Sequence, residues 1–135
     1  MAGLTNYAQQ KVLEQLLRGT AYTPPASVHT GHLSTMYADD GTGGVQITAA
    51  GSGRLATTFG AYASRRISNA ANLAWTAGAA WPLMVGQGIW DDPTGGNLLA
   101  QGPVTPTVTL STGDPFTLLA GQLQIDLAKY GPWLA

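Results

Sequence analysis

A Thr-Pro-Pro step at residues 23–25 divides this chain into two parts with different periodicities. Proline fixes φ and has no N–H to donate, so two in succession stop a helix from resuming. Before the step, Val12, Leu13, Leu16 and Leu17 recur at the spacing of one helix face. Lys11, Glu14, Gln15 and Arg18 fall largely elsewhere. Asn6 followed by Gln9 reads as an N-cap with a capping box, and Gly19 as a left-handed C-cap. A helix is therefore predicted over 6–18.

After the step the apolar residues alternate, or run in short blocks between Gly- and Asp-rich breaks, which is the pattern of strands. Strands are predicted over 26–36, 45–49, 54–59, 65–75, 81–90, 98–101, 105–111, 116–119 and 122–127. Turns are predicted at 39–44, 51–53, 91–97 and 112–114. Within 65–75, Ile67, Asn69, Ala71, Leu73 and Trp75 share one parity. Gly86 and Gly88 inside a strand mark places where another group approaches the backbone closely. Short strands about ten residues apart favour a sandwich or barrel over βαβ units. The expected fold is mainly β: an antiparallel β-sandwich of jelly-roll type with one N-terminal amphipathic helix packed at one end. The chain divides into helix and connector (1–25), sandwich (26–128) and a short apolar tail (129–135).

Charge narrows the function. Only 10% of residues are charged, against about 25% in an average domain. Six scattered Lys and Arg make no basic patch for nucleic acid. No uninterrupted apolar run approaches the ~20 residues of a membrane helix, so no membrane partner is expected. The absence of cysteine excludes disulfides and thiolate metal sites. So little charge leaves two ways to keep the surface soluble. Either Thr, Ser, Gln and Asn coat it, or much of it is covered by partners in an obligate assembly.

Candidate chemistry is sparse. His29 and His32 lie three apart, which on a strand places them on opposite faces, unable to chelate together. Asp39-Asp40 before Gly-Thr-Gly-Gly lacks calcium-loop spacing, and Asp91-Asp92-Pro93 reads as turn chemistry. No phosphate loop or nucleophile elbow is present. No enzyme activity, cofactor or metal is expected. Arg65-Arg66 pairs with carboxylates of a neighbouring subunit, binds an acidic surface, or simply flanks a strand. Trp75, Trp81, Trp90 and Trp133, with Tyr22, Tyr37 and Tyr62, form either a sugar-binding platform or core and interface.

Several segments together resemble small proteins of tailed bacteriophages. They are Leu4-Thr5-Asn6-Tyr7-Ala8 ahead of an amphipathic helix, Ile67-Ser68-Asn69-Ala70-Ala71 before a strand, and Gly88 to Ala100 (GIWDDPTGGNLLA). Gly113-Asp114 with Phe116, then Ala120-Gly121-Gln122-Leu123, complete the set. Related sequences often read Ala-Asp-Pro where this chain has Ala38-Asp39-Asp40. The resemblance is to tail-fibre-like or minor structural proteins and implies a virion component with an all-β body, assembled in the bacterial host cytoplasm. The expected role is a non-enzymatic, self-assembling accessory that decorates or stabilises the capsid. A tail or tail-fibre component is the alternative, and a carbohydrate-binding module a second. The expected partners are the chain itself, as a homotrimer, and a major capsid or tail protein. The expected interface residues are Leu13, Leu16, Leu17, Arg65, Arg66, Tyr130, Trp133 and Leu134.

Overall fold

The structure is a computed structural model that describes residues 2–127. Chain order is β1 (Gly3–Leu4), α1 (Asn6–Arg18), β2 (Val28–Thr35), β3 (Val45–Gln46), β4 (Leu55–Thr57), β5 (Arg66–Ser68), β6 (Leu73–Thr76), β7 (Met84–Trp90), β8 (Leu98–Val108), β9 (Pro115–Leu118) and β10 (Gln124–Asp126). The fold is mainly β and antiparallel, with one helix at the N-terminus, as the periodicity required.

Six strands form one sheet, ordered β1-β8-β7-β2-β3, with β4 sharing the outer edge of β2. β4 pairs with Val28–Thr30 at the start of that edge, and β3 with Leu33 and Thr35 further along. The long central pair, β7 with β8, is the hairpin closed by the 91–97 turn. Opposite this sheet lie two short ribbons, β5 with β10 and β6 with β9.

The ribbons are two halves of one interrupted antiparallel pair. A single strand over 65–75 was expected; instead Asn69 to Asn72 turn away between β5 and β6. Asn69 is 3% exposed and ties the interruption together. Its side-chain amide donates to the carbonyls of Ala71 (2.8 Å) and Leu119 (3.0 Å), and its side-chain oxygen accepts from the Leu123 N–H (2.9 Å). An amide with both donor and acceptor can satisfy a broken ladder in this way, and an apolar residue cannot. The expected parity therefore breaks at Ala71, which is exposed, while Asn69, Leu73 and Trp75 are buried.

The principal core lies between sheet and ribbons. Leu73, Trp75, Leu123 and Ile125 come from the ribbons and their turn, and Met84, Ile89 and Ala100 from the sheet. His32 stands among them, with Trp75 at 4.3 Å, Trp81 at 5.0 Å and Phe116 at 5.4 Å between ring centroids. The other face of the sheet carries a smaller cluster of Leu33, Trp90 and Leu98, with Met36 and Tyr37 against it. Here Gly88 matters: a Cβ would sit 2.6 Å from the Trp90 ring and 2.8 Å from Leu98. The indole lies across the sheet only because that position is empty.

Other boundaries shift for local reasons. β7 begins at Met84 rather than at 81, because Trp81 and Pro82 leave the ladder and the Trp81 N–H donates to Leu110 O instead. The segments expected at 98–101 and 105–111 merge into β8, which carries Pro103 and Pro106 and meets β7 through register shifts. β1 is too short to leave a periodic signal.

Candidate assembly surfaces

The helix is anchored by its first turn alone. The N-cap is Thr5, in extended conformation, and not Asn6. Its hydroxyl accepts from the Ala8 N–H and donates to Leu98 O at 2.6 Å, while its own N–H donates to Leu99 O at 2.9 Å. One threonine thus starts the helix and fastens it to β8. The Gln9 side chain donates to Leu4 O and forms no capping box. Gly19 ends the helix at φ 67°, with its N–H on Glu14 O.

Ala8 is the only buried residue of α1. The helix was expected to pack at one end of the sandwich, but past Ala8 its apolar side chains have no cover among the described residues. Val12 is 45% exposed, Leu13 55%, Leu16 75% and Leu17 79%. At about 100° per residue these four span a stripe roughly 140° wide. An amphipathic helix normally turns such a stripe to the core, and a contiguous exposed one marks an interaction site. Leu13, Leu16 and Leu17 thus lie together on one accessible face.

The remaining expected residues separate. Arg66 lies at the start of β5 and makes two hydrogen bonds to Asp126 of β10, at 2.5 and 2.9 Å. That pair holds the ribbon together within one chain. Arg65 sits in the preceding turn, its carbonyl accepting from the Leu127 N–H, and its side chain makes no hydrogen bond or ion pair with the described residues. Tyr130, Trp133 and Leu134 lie outside the described residues, as does Lys129.

Among the described residues the tryptophans form no exposed platform for sugar. Trp75, Trp81 and Trp90 are 4%, 3% and 3% exposed. The first two donate their indole N–H groups to Gly53 O and Ala50 O. Trp90 is capped by the Arg54 guanidinium at 3.9 Å. Trp133 lies outside the described residues.

Arg54 also fixes the 91–97 turn. It donates to Asp92 O (2.8 Å) and Gly95 O (2.7 Å), and to the Gln46 side-chain oxygen. Asp91 accepts from the Asn97 backbone and side chain, and Asp92 from the N–H groups of Thr94 and Gly95. The backbone N–H groups on Asp92 hold its carboxyl below the usual range. These aspartates are turn residues, as the sequence suggested. Between this turn and the 38–44 loop runs an open groove of about 390 Å³, lined by Tyr7, Tyr37, Asp39, Asp40 and Asn97 among others.

The two histidines do fall on opposite faces. His32 is fully buried in the aromatic core, and desolvation pushes its pKa down from 6.5 to about 4. The Gln87 amide approaches its Nδ1 at 3.5 Å, and its Nε2 has no partner among the described residues.

Sequence reasoning missed Ser64. Ser64 and Arg65 both adopt positive φ, 52° and 67°, closing a two-residue hairpin between Ala63 and Arg66. Such turns are signalled by Asn-Gly or Asp-Gly, and Ser-Arg gives no such signal.

Residues 3–126 match a protein family described as podophage GP4 fiber I protein gp80. No curated protein matches the chain.

Proposed function

The chain belongs to the podophage GP4 fiber I protein gp80 family, and from that premise we propose that it is a non-enzymatic fibre subunit that self-assembles and fastens to a neighbouring virion protein through α1. As a member of a phage fibre family it is a structural component of the virion. The reading as a fibre subunit, ahead of capsid decoration, is supported by the fibre named in the family description. Assembly in the host cytoplasm and a homotrimeric state belong to the same proposal.

One observation carries the role of the helix. Leu16 and Leu17 are 75% and 79% exposed on a helix whose only buried residue is Ala8. The helix adds little to the core of its own chain, so its apolar stripe contributes more as a plug for a partner's groove. The first turn, fixed to β8 by Thr5, sets the direction in which that plug leaves the body.

The test is incorporation. Phage particles are produced with Leu16→Glu/Leu17→Glu in place of the wild-type chain, purified, and assayed for this protein by quantitative mass spectrometry. The purified variant should fold with unchanged stability, because both side chains are already in water. The particles should lack it. Incorporation at the wild-type copy number would sink the docking role of the helix.

A further inference from the structure

We infer that the copies of this chain meet through the Ser64-Arg65 hairpin tip of one and the acidic groove between the 38–44 and 91–97 loops of the next. The inference deepens the self-assembly reading above and rests on it.

The tip carries backbone strain at both of its central residues. Both central residues of the turn sit in the left-handed region, at φ 52° and 67°. The hairpin closes with two hydrogen bonds between Ala63 and Arg66, each 3.0 Å. A two-residue turn of this kind takes glycine or asparagine almost by default, since a side chain at positive φ crowds its own backbone. Strain of this kind persists where the surrounding structure enforces it, and it clusters where a side chain is wanted for contact. The surroundings do enforce it: Arg66 is held by Asp126, and the Arg65 carbonyl accepts from the Leu127 N–H at 3.0 Å. The result is an exposed arginine carried on a fixed backbone at the tip. Residues 61–66 are all exposed, Tyr62 by 61%.

The complementary surface is on the other side of the fold. Asp39 and Asp40 are exposed in the groove and have no ion-pair partner among the described residues. Asp40 accepts from the N–H and hydroxyl of Thr42, and these bonds hold its carboxyl below the usual range, so it stays charged. The groove's one arginine, Arg54, is committed to Gln46, Asp92 and Gly95. Tyr7 and Tyr37 complete a slot with two carboxylates and two rings. A guanidinium next to an exposed tyrosine is the chemistry that such a slot accepts, by charge-assisted hydrogen bonds and stacking.

Tip and groove belong to different layers. The tip opens the β5–β10 ribbon, and the groove lies on the far face of the large sheet. Each copy can therefore offer its tip to one neighbour and its groove to another. Such a heterologous contact closes into a ring when the rotation between copies permits, and a trimer is such a ring.

The test uses the full chain, weighed by light scattering over a concentration series, with circular dichroism as the check on folding. Arg65→Gly removes the guanidinium and the left-handed strain together, so it should fold at least as stably as wild type. It should still need at least about tenfold more protein to assemble. Asp39→Asn/Asp40→Asn, which keeps the acceptor oxygens for Thr42, should weaken assembly similarly. Arg65→Glu combined with Asp39→Lys/Asp40→Lys should recover part of the loss. Arg65→Gly assembling like wild type, or a combined reversal no better than its parts, overturns the contact while leaving self-assembly intact. A wild-type chain that is monomeric throughout overturns both. Arg65→Gly that assembles normally but no longer binds host cells places the tip on another partner and also overturns the contact.

Discussion

His32 makes the acid stability of this protein calculable. The ring is fully buried among Trp75, Trp81 and Phe116, and none of these titrates in the acid range. Gln87, the polar neighbour, is neutral. Nothing there repays the desolvation of an imidazolium, so the pKa falls from 6.5 to about 4. The unfolded chain binds this proton first as pH drops. The native state therefore loses stability relative to the unfolded state from about pH 6.5 downwards, and the loss levels off below about pH 4. At 1.36 kcal/mol per pH unit, the deficit is about 2 kcal/mol at pH 5 and about 3 kcal/mol at pH 4. His32→Leu isolates this contribution, since leucine fills a similar volume and binds no proton. Carboxylates such as Asp40, Asp92 and Asp126, whose lowered pKa values also tie stability to acid, are present in both proteins and cancel in the difference. The assay is urea unfolding at pH 7.5, 6, 5 and 4, followed by tryptophan fluorescence, with the slopes fixed in common. The two proteins should lie within about 1.5 kcal/mol of each other at pH 7.5. The variant should then gain on the wild type as pH falls, by about 3 kcal/mol at pH 4. A difference between the proteins that does not change with pH would refute the reasoning, because His32 would then titrate alike in folded and unfolded chains.

Two further outcomes test the packing. Gly88→Ala places a methyl group 2.6 Å from the Trp90 ring. It should destabilise the protein by about 1–3 kcal/mol and shift the near-ultraviolet circular dichroism of the displaced indole. Asn69→Ala strands the buried Leu123 N–H and removes the bonds to Ala71 and Leu119. It should cost about 2–4 kcal/mol, with hydrogen exchange rising first in the 119–123 turn.

What was legible in the sequence follows the range of the forces involved. The helix could be read because four apolar residues repeat at its own period and Gly19 ends it. The hairpin at 91–97 could be read because Asp, Pro and Gly impose their own turn. The layers could not be read so directly. The strand over 65–75 has sound alternation, yet its partner, 115–126, is broken at 119–123. The break in one half is answered by Asn69 in the other, across 50 and 54 residues. Gly88 was correctly marked as a close approach, but only the fold shows that the approaching group is Trp90. The tryptophans held a false suggestion: a buried indole whose N–H meets a backbone carbonyl has the same sequence signature as one that stacks on sugar. Leu13, Leu16 and Leu17 were legible as an apolar face. That the face stays uncovered by the described residues could not be known before the helix was seen to be fastened to them by its first turn.

The scarcity of charge acquires a physical meaning once the described charges are followed to their partners. Arg54 closes the 91–97 turn, Arg66 joins Asp126, and Arg18 lies 3.8 Å from Glu14. Asp91, Asp92 and Asp114 each accept backbone N–H groups of their own loops. Most of the charge that the chain carries thus holds turns and ribbons in place and does little to repel other copies. Lys11 sits 5.4 Å from the Tyr7 ring, near the groove. Among the described residues, Arg65, Asp39 and Asp40 remain without an ion-pair partner, one sign on the tip and the other in the groove. A surface with so few free charges does not keep copies apart through long-range repulsion, which salt in any case screens beyond about 10 Å at 0.1 M. In the proposed assembly, the apolar helix stripe supplies attraction to the neighbouring virion protein without register. A few fixed, oppositely charged residues supply register with little attraction of their own. A fibre subunit needs both, and in this chain they are carried by different parts of the fold, so each can be removed without unfolding the other.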